Sequence, residues 1–183
     1  MKVVVAVGGA SGSIYAKRLL DALVPLAPKV EVGLVLTHSG QEVWAHELGE
    51  IPAYPFKRYG LRDFRAPFAS GSAGWDAMVV IPCSTGGLAR IAHGISDDLV
   101  GRAADVMLKE RRKLVLVVRE TPLSAIHLRN MLTLREAGAT ILFLAPGFYH
   151  GADTVDDLVE FVVERALDQL GVENAAARRW GQE

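Results

Sequence analysis

Residues 103–124 read AADVMLKERRKLVLVVRETPLS: the end of a helix, a buried strand, and a turn that carries Arg119 and Glu120 out of the strand's C-terminal end. Lys113–Val118 is short, almost wholly apolar and rich in β-branched residues, as a central strand covered on both faces should be. A charged pair directly after such a strand is costly to hold there unless a polar partner waits for it. In open α/β sheets the crevice beyond the strand ends is where ligands sit. The rest of the chain is therefore read as serving that crevice.

Outward from this stretch the same alternation recurs. Strands are predicted over Lys2–Val7, residues 30–36, 77–82 and 139–144 in addition to Lys113–Val118. Helices are predicted from residue 13 to about 24, from Thr37-His38-Ser39 to about 48, after Cys83, and over residues 97–112, 123–137 and 154–170. Ala16, Leu19, Leu20 and Leu23 share one helix face, Thr154 and Asp157 fit a capping box, and Gly138 is a stop signal. No repeat or composition break interrupts the pattern, so residues 1–183 read as one α/β domain with a parallel sheet and helices on both faces. Every βα turn (GGASGS, THS, CSTGG, RETPLS, APGFYH) then falls on one edge of the sheet. Residues 51–72 show no clean period and exceed the ~12–15 residues of ordinary connections, so a functional loop or lid is expected there.

The 20 Lys and Arg against 21 Asp and Glu leave a formal net charge of -1, which argues against a polyanion-binding surface and so against nucleic acid. Hydrophobic residues make up 50% of the chain. No apolar run approaches the roughly 20 residues of a membrane helix, so the surplus is expected to cover a contact between copies of a homo-oligomer. Residues 1–7 hold too short an apolar run for a signal peptide. The single cysteine, Cys83, excludes an intrachain disulfide and a Cys-rich metal site. A cytoplasmic protein without a membrane partner is expected.

The first turn offers small residues and backbone N–H groups at a helix start, a natural phosphate seat. It is not a full G-x-G-x-x-G and lacks a Walker lysine, so neither a dinucleotide nor a nucleoside triphosphate is specifically signalled. The same residues also suit a tight turn. Ser84, Thr85, Gly86 and Gly87 repeat the device in the third turn, and two such turns on one edge strengthen the case for a phosphate-bearing ligand. Arg119 and Glu120 suit an anion clamp with a proton carrier beside it, or a structural ion pair at a strand end; the residues alone leave both open. Lys109 to Lys113 read as basic residues settling a helix C-terminus. Cys83 beside Pro82 reads as a small buried hydrophobe. His38 and His46 stand eight apart and His127 and His150 stand alone, which disfavours zinc. Residues 9–13 break G-x-S-x-G at its last position, against a serine hydrolase. Trp180, in a polar tail, is expected to dock onto something.

Taken together, GGASGS, the ASGS of residues 69–72, IPCSTGGLARIAHGISDDLVGRAADVMLKERRKLVLVVRETPLSAIHLRNM of residues 81–131, PGFYH of 146–150 and RALDQLGVE of 165–173 resemble the UbiX-type flavin prenyltransferases. The resemblance covers nearly the whole chain and is weakest over residues 51–64. It implies a Rossmann-like three-layer αβα sandwich with a mostly parallel sheet, assembled as a homododecamer with FMN at subunit contacts. It implies transfer of a dimethylallyl group from dimethylallyl phosphate to N5 and C6 of reduced FMN, without a metal. The product, prenylated FMN, would serve a UbiD-type decarboxylase.

By the same resemblance, Gly9, Ala10, Ser11, Thr37, Ser84, Thr85, Gly86, Gly87 and Arg119 match flavin-binding positions. Ser70, Lys109, Glu120, Tyr149 and Arg165, with Arg102 from a neighbouring subunit, match the clamp on the allylic phosphate, to which Arg119 adds charge. Glu47 and Ser11 match positions that handle a proton near N5, Glu120 and Lys109 are candidate catalytic groups, and Trp180 in the 175–183 tail matches a residue that closes over the site. Two other readings compete. A flavin-dependent cysteine decarboxylase of the same fold would carry P-x-M-N-x-x-M-W, where this chain has Thr121-Pro122-Leu123-Ser124. A non-catalytic FMN-binding subunit would explain the turns but leave Lys109, Arg119, Glu120 and Arg165 without a purpose.

Overall fold

The computed structural model describes residues 1–27, 29–149 and 151–173. Six strands, β1 (Lys2–Val7), β2 (Glu31–Leu36), β3 (Lys57–Tyr59), β4 (Ala77–Cys83), β5 (Lys113–Val118) and β6 (Thr140–Phe143), form one sheet in the order β3-β2-β1-β4-β5-β6. Every pairing is parallel. Helices α1 (Ser13–Leu23), α2 (His38–Leu48), α3 (Thr85–Ala92), α4 (Leu99–Lys109), α5 (Ala125–Glu136) and α6 (Val155–Leu170) cover it.

The period of two along each strand sends alternate residues to opposite sides. Val3, Val5, Val7, Val115 and Val117 pack with Leu19 and Leu20 of α1, Trp44 of α2 and Val162 and Leu167 of α6. Val4, Ala6, Leu116 and Val118 pack with Leu88 of α3, Ala103 and Met107 of α4 and Leu134 of α5. Both faces are thus apolar, which is why β1 and β5 read as unbroken hydrophobic runs. Each large side chain fully buried in this way contributes about 1.5–3 kcal/mol.

Five strands fall within a residue or so of their expected places. The sixth, β3, lies inside residues 51–72, where no strand was expected. Three residues, Lys-Arg-Tyr, are too few to show a period. What holds them is aromatic packing. Tyr59 meets Phe68 edge-on at 4.9 Å, and Phe68 meets Trp75 at 5.0 Å. A Cβ at Gly33 of β2 would stand 2.8 Å from the Phe68 ring, so the sheet has a bare spot where these aromatics seat.

Helix ends follow the residue types. Thr37, Ser84 and Asp98 cap α2, α3 and α4 by accepting from Gly40, Gly87 and Gly101 N–H at 2.9, 3.1 and 2.8 Å. The box at Thr154 and Asp157 forms as expected, and Ser124 forms a second one with His127, whose Nδ1 accepts from Ser124 N–H at 3.2 Å. Helix α4 stops at Lys109, short of residue 112, because Arg111 turns left-handed at φ 54°.

Candidate active site

The chain runs from β1 outward to β2 and from β4 outward to β5, so the sheet order reverses between β1 and β4. A crevice beyond the strand C-termini is expected at such a switch point. The turns there are stitched side by side. Thr37 N–H donates to Val7 O at 3.0 Å, Gly8 N–H to Pro82 O at 3.2 Å, Arg119 N–H to Cys83 O at 3.2 Å and Leu144 N–H to Val118 O at 3.0 Å. All five expected turns do share one edge.

A cavity of about 480 Å³ opens at this point, within the roughly 300–1,000 Å³ of small-molecule and cofactor sites. Gly8, Gly9, Thr37, Ser84 and Gly87 line it from the strand-to-helix turns, and Val80, Ile91 and Val100 give it an apolar wall. Gly9 is needed as glycine because a Cβ there would stand 2.2 Å from Ser39 Oγ. Thr37 and Ser84 each satisfy one N–H of their helices, which leaves other first-turn N–H groups of α2 and α3 facing this end of the sheet. Cys83 lines the cavity fully buried, and burial pushes its thiol up to about 12. It is packing, not a nucleophile.

The first turn differs from the phosphate seat its sequence suggested. The N–H groups of Gly12 and Ser13 donate to the Glu47 carboxylate at 3.1 and 2.7 Å, so the anion at the start of α1 is the protein's own. Partial desolvation raises the pKa of Glu47, but hydrogen bonds from the Ser11 hydroxyl, Ser13 N–H, Gly12 N–H and the Ser13 hydroxyl outweigh it and hold the carboxyl below its ordinary range. Ser11 and Glu47, paired by resemblance, are thus in contact. Gly12 sits at φ 113°, where other residues are strained.

Glu120 joins two turns. Its Oε1 accepts from Thr121 N–H at 3.0 Å, its Oε2 accepts from the Thr85 hydroxyl at 3.4 Å, and Arg119 Nη1 lies 3.9 Å away. Arg119 Nε is buried without a hydrogen-bond partner among the described residues. A buried donor of this kind is expensive to leave unmade. Ala10 is buried beside Gly9, and Gly86 has open space where a Cβ would stand.

The phosphate-clamp candidates divide into two further groups. Tyr149 packs edge-on against Phe161 of α6 at 5.9 Å, and Arg165 follows Phe161 by four residues on the same helix face, with Asp168 at 2.8 Å. Ser70, Arg102 and Lys109 gather instead along the outside of α4. Arg102 Nε donates to Ala69 O at 2.9 Å, Ser70 Oγ lies 3.0 Å from Ser72 Oγ, and Lys109 pairs with Glu110. Lys109 precedes β5 and Glu120 follows it, so the strand's full length, roughly 20 Å, separates them within one chain. Within one chain, Ser70 and Lys109 therefore lie with Arg102, apart from Arg119 and Glu120. Sequence order hides this, because α4 runs antiparallel to the strands and carries its C-terminus to the far edge. Trp180 and the 175–183 tail lie outside the described residues.

Sequence reading missed Leu61, Arg90 and Asp98, which also line the cavity. Leu61 sits in the region without a period, and Arg90 and Asp98 stand inside the 81–131 stretch with no pattern of their own to single them out. Among the described residues no group of three His, Cys, Asp or Glu is placed to hold a metal ion, and no helix is long and apolar enough to cross a membrane.

Fold, switch-point cavity and helix starts define a flavoprotein-type domain, and residues 1–167 match the Flavoprotein family. A flavin prenyltransferase UbiX from Alkalihalophilus pseudofirmus is 47% identical over 97% of this chain and 95% of its own. A crystal structure of AnUbiX (PadA1) in complex with FMN and dimethylallyl pyrophosphate superposes with a TM-score of 0.92 at 42% identity, over 98% of this chain and 96% of that one. A dodecameric FMN-dependent UbiX-like decarboxylase from Escherichia coli O157:H7 gives 0.91 at 45% identity, over 98% and 99%. The chain belongs to the UbiX-type flavin prenyltransferases.

Proposed function

We propose that this protein transfers a dimethylallyl group from dimethylallyl phosphate to reduced FMN, and that its site is shared between subunits. The observation that carries the reading is the switch-point cavity bordered by helix-start N–H groups, with the unpartnered Arg119 Nε and the Glu120 carboxylate beyond β5. Gly9, Ala10, Ser11, Thr37, Ser84, Thr85, Gly86, Gly87 and Arg119 would hold the flavin, whose phosphate suits N–H groups and hydroxyls and whose ring suits the apolar wall. Reduced FMN supplies the nucleophilic N5 and C6 that take the dimethylallyl carbons.

This chain's residues then have three tasks. The allylic C–O bond breaks with its electron pair leaving on the phosphate, and Arg119 and Arg165, with Lys109 and Arg102 of a neighbouring copy, stabilise that charge by roughly 1.5–3 kcal/mol per charge-assisted hydrogen bond. Tyr149 and Ser70 add hydroxyl donors. Glu120 holds or passes a proton at the phosphate, and Glu47 with Ser11 does so beside the flavin. Water must be kept from the allylic cation, a task for the Tyr149 turn and the Trp180 tail. The separation of Lys109 from Glu120 supports a composite site, with the α4 face of one copy meeting the strand-end rim of another. Exposed Leu128 and Leu132, four residues apart on α5, supply an apolar face for association, in keeping with a dodecamer. The product is passed to a UbiD-type decarboxylase.

The cysteine-decarboxylase reading lacks its P-x-M-N-x-x-M-W segment, and the carrier reading leaves the cations unused. Anaerobic incubation with reduced FMN and dimethylallyl phosphate separates all three. A flavin heavier by one five-carbon unit is expected; unchanged flavin with a consumed cysteinyl peptide, or no reaction at all, would contradict the transferase.

A further inference from the structure

We infer that Leu61 is a wall residue of the flavin cavity and that Arg62, Asp97 and Arg90 form a latch that holds it there; this rests on the flavin reading above. Leu61 lines the cavity beside Val80, Ile91 and Val100. Those three belong to β4, α3 and α4, whereas Leu61 stands on the connection after β3 and reaches the same core from outside. Its place therefore depends on what fastens the connection.

Three contacts do so, and all lead to the start of α4. Leu61 O accepts from Leu99 N–H at 2.8 Å. The Arg62 guanidinium donates to the backbone oxygen of Asp97. The Asp97 carboxylate pairs with Arg90, which itself lines the cavity. Two arginines from separate elements thus converge on one residue. The bend that carries it is pressed against α4, since a Cβ at Gly101 would stand 2.5 Å from Ile95 O.

Exposed ion pairs add little to global stability. Hydrogen bonds that tie a connection across a cavity to an anchor braced by such a pair act instead on local opening, and a wall set before the ligand arrives lowers the ordering cost of binding. Breaking the latch frees Leu61 and speeds flavin release while the fold stays intact.

The test uses the full chain carrying Arg62→Ala, Leu61→Ala or both, with FMN release followed by fluorescence and the thermal midpoint of the flavin-free protein measured alongside. Each single variant is expected to release FMN about tenfold faster. The double variant should be no faster than Leu61→Ala alone, because the two changes remove one interaction. Arg62→Lys, which keeps a donor, should recover part of the loss. Additive losses, unchanged release in Leu61→Ala, or losses that track the thermal midpoint would overturn the latch. Failure of the unaltered protein to take up FMN would overturn the latch and the flavin reading together.

Discussion

At Glu47 the carboxylate is held in its charged form by Ser11, Gly12 and Ser13, whereas Glu120 bridges two turns and faces the strand-end rim. Their substitutions should separate. Glu47→Gln removes a charged cap from α1 and is expected to cost at most about 1 kcal/mol at neutral pH, since the group remains partly in water. Its folded pKa is depressed, so the contribution is present above the unfolded value near 4.3 and is lost as pH falls through the folded one. Melting curves between pH 3 and 7 should show the variant and the unaltered protein converging at the acid end; a constant gap would contradict the assignment. Glu120→Gln keeps an acceptor for Thr121 N–H but loses the charge, and general acid–base roles of this kind are worth about 10²–10⁴-fold. Single-turnover prenylation should slow by about 10²-fold with FMN still bound. Equal rates would remove Glu120 from the mechanism.

The strands were legible as elements because burial on both faces leaves unbroken β-branched runs such as Lys113–Val118. Strand β3 was not legible, because its place is set by Tyr59 meeting Phe68 across a connection rather than by any local pattern. Rim residues were readable from the turns; Leu61 was not, for the same reason as β3. Helix α4 shows a third case. Its basic end marked a C-terminus, but the stop is set by Arg111 at φ 54°, which residue type did not disclose. A left-handed residue other than glycine costs roughly 1–2 kcal/mol, offset by glycine's greater freedom in the unfolded chain. Arg111→Gly is expected to stabilise by about 0.5–1 kcal/mol and raise the thermal midpoint by about 2 °C. A lowered midpoint would mean that the Arg111 side chain makes a contact between copies that outweighs its strain.

Across the whole molecule, the parallel sheet fixes which residues one chain can bring together. Arg119 and Glu120 lie beyond the C-terminal end of β5 and Lys109 before its start, so no bend of a loop joins them. Resemblance identified the residues and assigned Arg102 to a neighbour; the topology of one chain sets Lys109 and Glu120 at opposite ends of β5. If each site takes its rim from one subunit and its α4 face from another, defects on different chains must complement. The direct measurement is to mix Lys109→Ala and Glu120→Gln chains, by co-expression or by reassembly, and to assay prenylated FMN against each variant alone. The account predicts that two nearly inactive proteins yield an assembly with about a quarter of full activity, the share of sites that draw an intact rim and an intact lysine from separate subunits. Mixed assemblies no more active than the single variants would contradict it and place Lys109 and Glu120 outside a shared site.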